Sequence, residues 1–279
     1  MMRRLRVGIV APGSRLEPSA AQRVIELAAE HHPEVELTVH PQCHLSSGHF
    51  AGDDAARIEA FLEIANDASF DAVWFGRGGY GSCRVADAAL PKLNEPARRK
   101  TYLGYSDVGI LLAGLYAQGF QGVAHGPMPA DITRDGGDAA IARSLAYLGR
   151  RAADTLEPSI MSSDKVVAFN MIILSQLIGT PLQPDLTGHV LMLEEVSEYM
   201  YRIDRTLFHI TSNPAIRRVA GIRLGRCSAI PPNEPDFGQT EVEITRHWCR
   251  ASGIPYLGRA DIGHDAANKI VPFGAPPAA

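Results

Sequence analysis

The sequence predicts an α/β protein, a parallel sheet covered by helices on both faces and followed by a second, smaller α/β unit. Short continuous apolar runs alternate with segments of helical periodicity. Two of those runs end in glycine or serine loops, where open parallel sheets hold ligands. A polar, weakly periodic stretch near the middle separates two such series.

Residues 7–10 form an apolar run between basic residues and a Pro-Gly break, the pattern of a buried first strand. Residues 19–30 read as a helix with Val24, Ile25, Leu27 and Ala28 on one side. A second strand covers 35–39. Residues 53–65 form an amphipathic helix with Ile58, Phe61, Leu62 and Ile64 apolar. The run 72–75 is a buried strand that ends in a glycine loop. A short strand at 102–104 runs into Ser106 and a helix over 108–116. A strand at 123–124 and a helix over 141–148 complete the first series. The stretch 150–163 is the expected boundary. It implies an N-terminal domain over 1–150, a linker over 151–165 and a C-terminal domain over 166–279. The second series has a strand at 166–169, a helix over 171–178 and a strand at 189–193 leading into Glu194 and Glu195. A helix over 199–209, a strand at 219–224, a helix over 240–251 and a final strand at 270–272 follow. The proline-rich end, 272–279, is expected to be a loose tail.

The chain has 279 residues, 46% hydrophobic and 21% charged, which suffices for a substantial core. A formal net charge of −4 gives no electrostatic case for nucleic acid or an anionic membrane as partner. Cys43, Cys83, Cys227 and Cys249 form no CxxC pair, which argues against a zinc ribbon and a disulfide framework. The first apolar run stops at Pro12-Gly13, short of a secretory core of about 7–15 residues. No stretch approaches the roughly 20 apolar residues of a membrane span. A cytoplasmic protein with reduced thiols is expected.

In Gly104-Tyr105-Ser106-Asp107-Val108-Gly109 a serine sits between a strand and a helix. A nucleophile elbow has this layout, with backbone N–H donors at the helix start. Helix capping by Ser106 is the structural alternative. Gly76-Arg77-Gly78-Gly79-Tyr80-Gly81-Ser82 admits three readings: a phosphate loop, an oxyanion loop beside Ser106, or an ordinary tight turn. Its spacing fits neither the dinucleotide fingerprint nor a Walker loop. Glu194 and Glu195 end an apolar strand, so one can face a cleft and the other solvent. Arg202, Asp204 and Arg205 follow on a helix, where surface ion pairing is the default. His264 and His125 occupy loops rich in glycine or proline. His31, His32, His40, His44 and His49 crowd the first third without an HExxH pattern, so no metal is expected. Ser106, a carboxylate at 194 or 195, and His264 together supply a nucleophile, an orienting acid and a base.

These residues resemble the LD-carboxypeptidases, or murein tetrapeptide carboxypeptidases, a family that includes the microcin-C immunity peptidases. The marks are Ala11-Pro12-Gly13-Ser14, Arg77-Gly78-Gly79-Tyr80-Gly81-Ser82, Gly104-Tyr105-Ser106-Asp107 and His125-Gly126-Pro127-Met128. They continue with Ile178-Gly179-Thr180-Pro181, Leu193-Glu194-Glu195-Val196, Tyr201-Arg202-Ile203-Asp204-Arg205 and Gly263-His264. The resemblance implies a Rossmann-like N-terminal domain holding Ser106. It also implies a smaller, swivelling, β-rich C-terminal domain holding Glu194 and His264. It implies an oxyanion hole from Asp107 and the Gly78–Gly79 loop, no cofactor, and a homodimer. The substrate implied is a muropeptide whose C-terminal D-alanine is released in wall recycling. Arg77 and Arg202, by position, and Tyr80 are candidate substrate-binding residues. The alternatives are a peptidyl-nucleotide or other acyl-amide substrate for the same triad, or a non-catalytic muropeptide-binding protein. The chain departs from the family pattern at Glu195, Gly109, Phe169 and Met200, where Asp, Thr, Gly and Pro are usual. Assignment of the acid to Glu194 rests on register.

Overall fold

A computed structural model describes residues 3–161 and 164–276. In the first half, strands Leu5–Val10 (β1), Val35–Val39 (β2), Ala72–Phe75 (β3), Thr101–Gly104 (β4) and Val123–His125 (β5) alternate with helices. The helices are Pro18–His31 (α1), Asp54–Asn66 (α2), Ser82–Ala89 (α3), Glu95–Arg98 (α4), Gly109–Ala117 (α5) and Gly137–Arg150 (α6). The five strands pair in parallel in the order β5-β4-β3-β1-β2. Every residue of β3 and β4 is buried, which is why β3 reads as an unbroken apolar run. Val73 and Phe75 face one core, with Phe61 and Tyr102. Ala72 and Trp74 face the other, with Ile9 and Ile141.

The second half holds Lys165–Asn170 (β6), Met171–Leu177 (α7), His189–Val196 (β7), Met200–Ser212 (α8), Gly221–Ser228 (β8), Glu241–Ser252 (α9) and Tyr256–Arg259 (β9). These strands form a parallel sheet, β6-β7-β8-β9. Helix α5 is apolar all round and seven of its nine residues are buried, because it lies between the two halves. A Cβ at Gly109 would sit 3.1 Å from Ile173 and 3.5 Å from Phe169, so glycine lets the halves approach. The larger core runs on into the second half through Phe169, Leu191 and Leu193.

The last strand, Val271–Pro272 (β10), departs from expectation. It pairs antiparallel with β5, Val271 opposite His125 and Pro272 opposite Ala124, and so completes the first sheet at its edge. An edge tolerates the missing proline N–H. Gly274 and Val166 exchange two backbone hydrogen bonds of 2.9 Å, and the Phe273 N–H donates to the Val123 carbonyl at 2.8 Å. The segment expected to be a loose tail therefore straps β5 to β6. Residues 277–279 of that tail, and 162 and 163 of the expected boundary, lie outside the described residues. Helix α3 and strand β9 escaped the sequence reading, β9 because its four residues are half-exposed around Gly258. Among the described residues no helix is long and apolar enough to cross a membrane.

Candidate active site

Ser106 follows β4 by two residues and opens a 3₁₀ turn, Ser106–Val108, that leads into α5. Its φ is 61°, in the left-handed region that non-glycine residues rarely adopt. Such strain costs about 1–3 kcal/mol and persists where the surroundings enforce it. They do so here. The Asp107 carboxylate is buried and accepts from the Ser82 N–H at 2.9 Å, which joins the elbow to the glycine loop. The Gly78 carbonyl accepts from the Ser14 N–H at 3.0 Å. A Cβ on Gly78 would lie 2.9 Å from the Ser106 Cβ and 3.0 Å from its Oγ. The glycine loop is thus pressed against the serine. The Asp107 N–H, at the start of the helical segment, belongs to the donors that a helix leaves without an internal partner.

The His264 Nε2 stands 3.0 Å from the Ser106 Oγ, and its Nδ1 stands 2.5 Å from the Glu194 Oε2. With Glu194 ionised, Nδ1–H donates to the carboxylate and Nε2 accepts from the serine hydroxyl. Glu194 is fully buried, and its Oε1 has no hydrogen-bond donor among the described residues. Burial alone would lower the His264 pKa. The charge and hydrogen bond of Glu194 outweigh it, so the imidazole titrates above its ordinary value.

Glu195 was expected to face solvent if Glu194 faced the cleft. It is buried instead. Its Oε1 accepts from the Asn170 amide at 2.7 Å and the Val196 N–H at 2.9 Å, and its Oε2 from the Ile172 N–H at 3.0 Å. It closes the N-terminal end of α7, where backbone donors are available. Burial raises its pKa to about 7 against those hydrogen bonds.

The His264 loop is braced twice. Arg226 on β8 donates Nε and Nη2 to Asp265 and Nη1 to Asp261. The Asn268 Oδ1 accepts from the Gly263 N–H at 3.2 Å and from the His125 Nε2 at 3.1 Å. Burial lowers the His125 pKa to about 4, so it is a neutral donor in this bond. Arg226 and Asn268 were not singled out in the sequence. Their signal is only proximity to Gly263-His264 in the case of Asn268, and none in that of Arg226.

A cavity of about 370 Å³ opens over Ser106 and His264. The loops after β3, β4 and β5 line it, at the carboxyl ends of parallel strands. Gly78, Gly79 and Arg77 are among its walls. Arg77 is exposed and its Nη1 donates to the Arg15 carbonyl at 3.2 Å. Arg202 is not in the lining; it pairs with Glu198 at 2.9 Å. Tyr80 is half-exposed beside Phe50, at 6.0 Å between ring centres, and is also outside the lining. The sequence reading passed over Asp131 and Arg134, which do line it. A carboxylate and an arginine three residues apart, just beyond the His125-Gly126-Pro127-Met128 strand end, were the available signal. Among the described residues no group of three or more His, Cys, Asp or Glu is placed to hold a metal ion.

The family model described as the LD-carboxypeptidase N-terminal domain matches residues 7–126, and that of the LD-carboxypeptidase C-terminal domain matches 165–277. A protein of Synechocystis sp. that carries a provisional carboxypeptidase name is 32% identical over 83% of this chain and 77% of its own. The murein tetrapeptide carboxypeptidase of Pseudomonas aeruginosa is 24% identical over 96% of this chain and 91% of its own. The crystal structure of muramoyltetrapeptide carboxypeptidase from Oxalobacter formigenes shares the fold. Its TM-score is 0.81 at 24% identity, over 96% of this chain and 92% of that one.

Proposed function

The chain belongs to the LD-carboxypeptidase family and is a peptidase, and from that premise we propose that Ser106, His264 and Glu194 hydrolyse an L,D-peptide bond to release a C-terminal D-residue. The substrate is a murein tetrapeptide, the leaving residue D-alanine, and the setting cytoplasmic wall recycling. The observation that carries this reading is the unbroken line from Glu194 through the His264 ring to the Ser106 hydroxyl.

In this reading Ser106 and its loops belong to an N-terminal domain, and Glu194 and His264 to a C-terminal one. His264 takes the hydroxyl proton as the serine oxygen attacks the scissile carbonyl carbon. The oxyanion that forms accepts from the N–H of Asp107 and from one in the Gly78–Gly79 loop. Glu194 stabilises the imidazolium. Collapse of the tetrahedral species breaks the C–N bond, and His264 protonates the departing amine. Water, deprotonated by the now neutral His264, then attacks the acyl-enzyme ester and restores Ser106. Arg77 supplies positive charge at the cavity wall.

The test is product mass. A murein tetrapeptide incubated with the protein should lose one alanine and yield the tripeptide. An unchanged tetrapeptide alongside cleavage of a peptidyl-nucleotide mimic would replace this substrate with the acyl-amide alternative.

A further inference from the structure

We propose that Arg134, held by the buried Asp131 carboxylate, binds the free terminal carboxylate of the peptide, a proposal that rests on the peptidase reading above and assigns its end-recognition. An enzyme that cuts only at a chain end needs a group that engages the end itself. A guanidinium suits because its fork matches a carboxylate bidentately.

Arg134 and Arg77 are the two cations of the cavity wall. Arg134 is oriented before any ligand arrives. Its Nε donates to the Asp131 Oδ1 at 2.6 Å, and the Asp131 side chain is only 4% exposed. The same carboxylate accepts from the Tyr105 hydroxyl at 2.9 Å and from the Met128 N–H at 2.8 Å. Tyr105 precedes the nucleophile directly, and its ring centre lies 4.9 Å from that of His264. The anchor of Arg134 is thus built into the elbow, which sets the distance from the guanidinium to the reacting hydroxyl. With Nε engaged, neither Nη donates to a protein acceptor among the described residues, and 40% of the side chain is exposed. The Arg134 charge also acts on His264, where it opposes the raising effect of Glu194. That places it within electrostatic reach of the base. Asp131 makes the half-buried cation tolerable but cancels its net charge. Arg77 has no carboxylate partner among the described residues, so its charge stays unpaired at that wall, while Glu17 of the same lining pairs with Arg15.

The experiment is calorimetric binding to the Ser106→Ala protein. The probe is a peptide ending in an L-residue followed by D-alanine, as the free acid and as the carboxamide. The acid should bind roughly 10–100-fold tighter than the amide. Adding Arg134→Gln should bring the acid down to the affinity of the amide. Arg134→Lys, which keeps charge without the fork, should lose part of the preference, and it serves should the glutamine variant fail to fold. Arg77→Gln should weaken both peptides and leave the preference in place. No preference in the Ser106→Ala protein, no binding of the acid, a preference that survives Arg134→Gln, or one abolished by Arg77→Gln each overturns the proposal. Absence of turnover by the unmodified protein, with an Arg134-dependent preference intact, removes the peptidase reading and leaves the carboxylate site.

Discussion

Glu194 and Glu195 are neighbours on one strand and send their carboxyls to opposite sides of the sheet. Glu194 meets the His264 ring at 2.5 Å, and Glu195 meets the Asn170 amide at 2.7 Å. Period-two alternation along a strand forces this separation. Glu194→Gln should therefore lower kcat by roughly 10⁴-fold, the scale of losing the acid of such a triad. Glu195→Gln should act chiefly on stability, since it disturbs a carboxyl that receives three N–H bonds. Steady-state kinetics and urea unfolding of the two variants check this, and an inactive Glu195→Gln beside an active Glu194→Gln would reverse the assignment.

His264 must be neutral to accept the serine proton, and its pKa lies above the ordinary imidazole value. Activity should thus rise with pH through a midpoint above about 6.5. Glu194→Gln removes the charge that raises it, and burial then dominates, so the midpoint should move down. The rate of fluorophosphonate labelling at Ser106 across pH reads both proteins without needing turnover. An unmoved midpoint would contradict the coupling.

Gly78 leaves no room for a side chain beside Ser106. Gly78→Ala should displace the Ser106 hydroxyl and reduce kcat by at least roughly tenfold, since small misplacements at a reacting centre are costly. The melting temperature should change less than the rate. Unchanged kcat would mean that the loop stands clear of the reaction.

Asn268 holds both the Gly263 N–H and the His125 ring. Asn268→Ala strands two buried donors and should cost about 1–3 kcal/mol of stability by denaturant unfolding. Looser placement of His264 should lower kcat more than it raises KM. A KM effect alone would point to substrate binding instead.

The alternation of buried strands and amphipathic helices is written in apolar runs such as Val73–Phe75, and the elbow in Gly104-Tyr105-Ser106-Asp107. Local pattern carries such features because each depends on neighbours in the chain. The return of Val271–Pro272 to β5 does not, because a two-residue strand is defined only by its partner. Which glutamate turns inward was open for a related reason: both ends of the choice are buried, so polarity could not mark the outer one. By position the sequence offers Arg77 and Arg202 alike, yet helix α8 pairs Arg202 with Glu198, outside the cavity lining. Tertiary placement of long cationic side chains leaves little trace in local sequence.

The central claim is that the hydroxyl of residue 106 performs the attack. Turnover of a murein tetrapeptide by Ser106→Ala, measured beside the unmodified protein at matched fold, tests it most directly. The account predicts a kcat lower by about 10⁴–10⁶-fold. Turnover within a few-fold of the unmodified protein would contradict it.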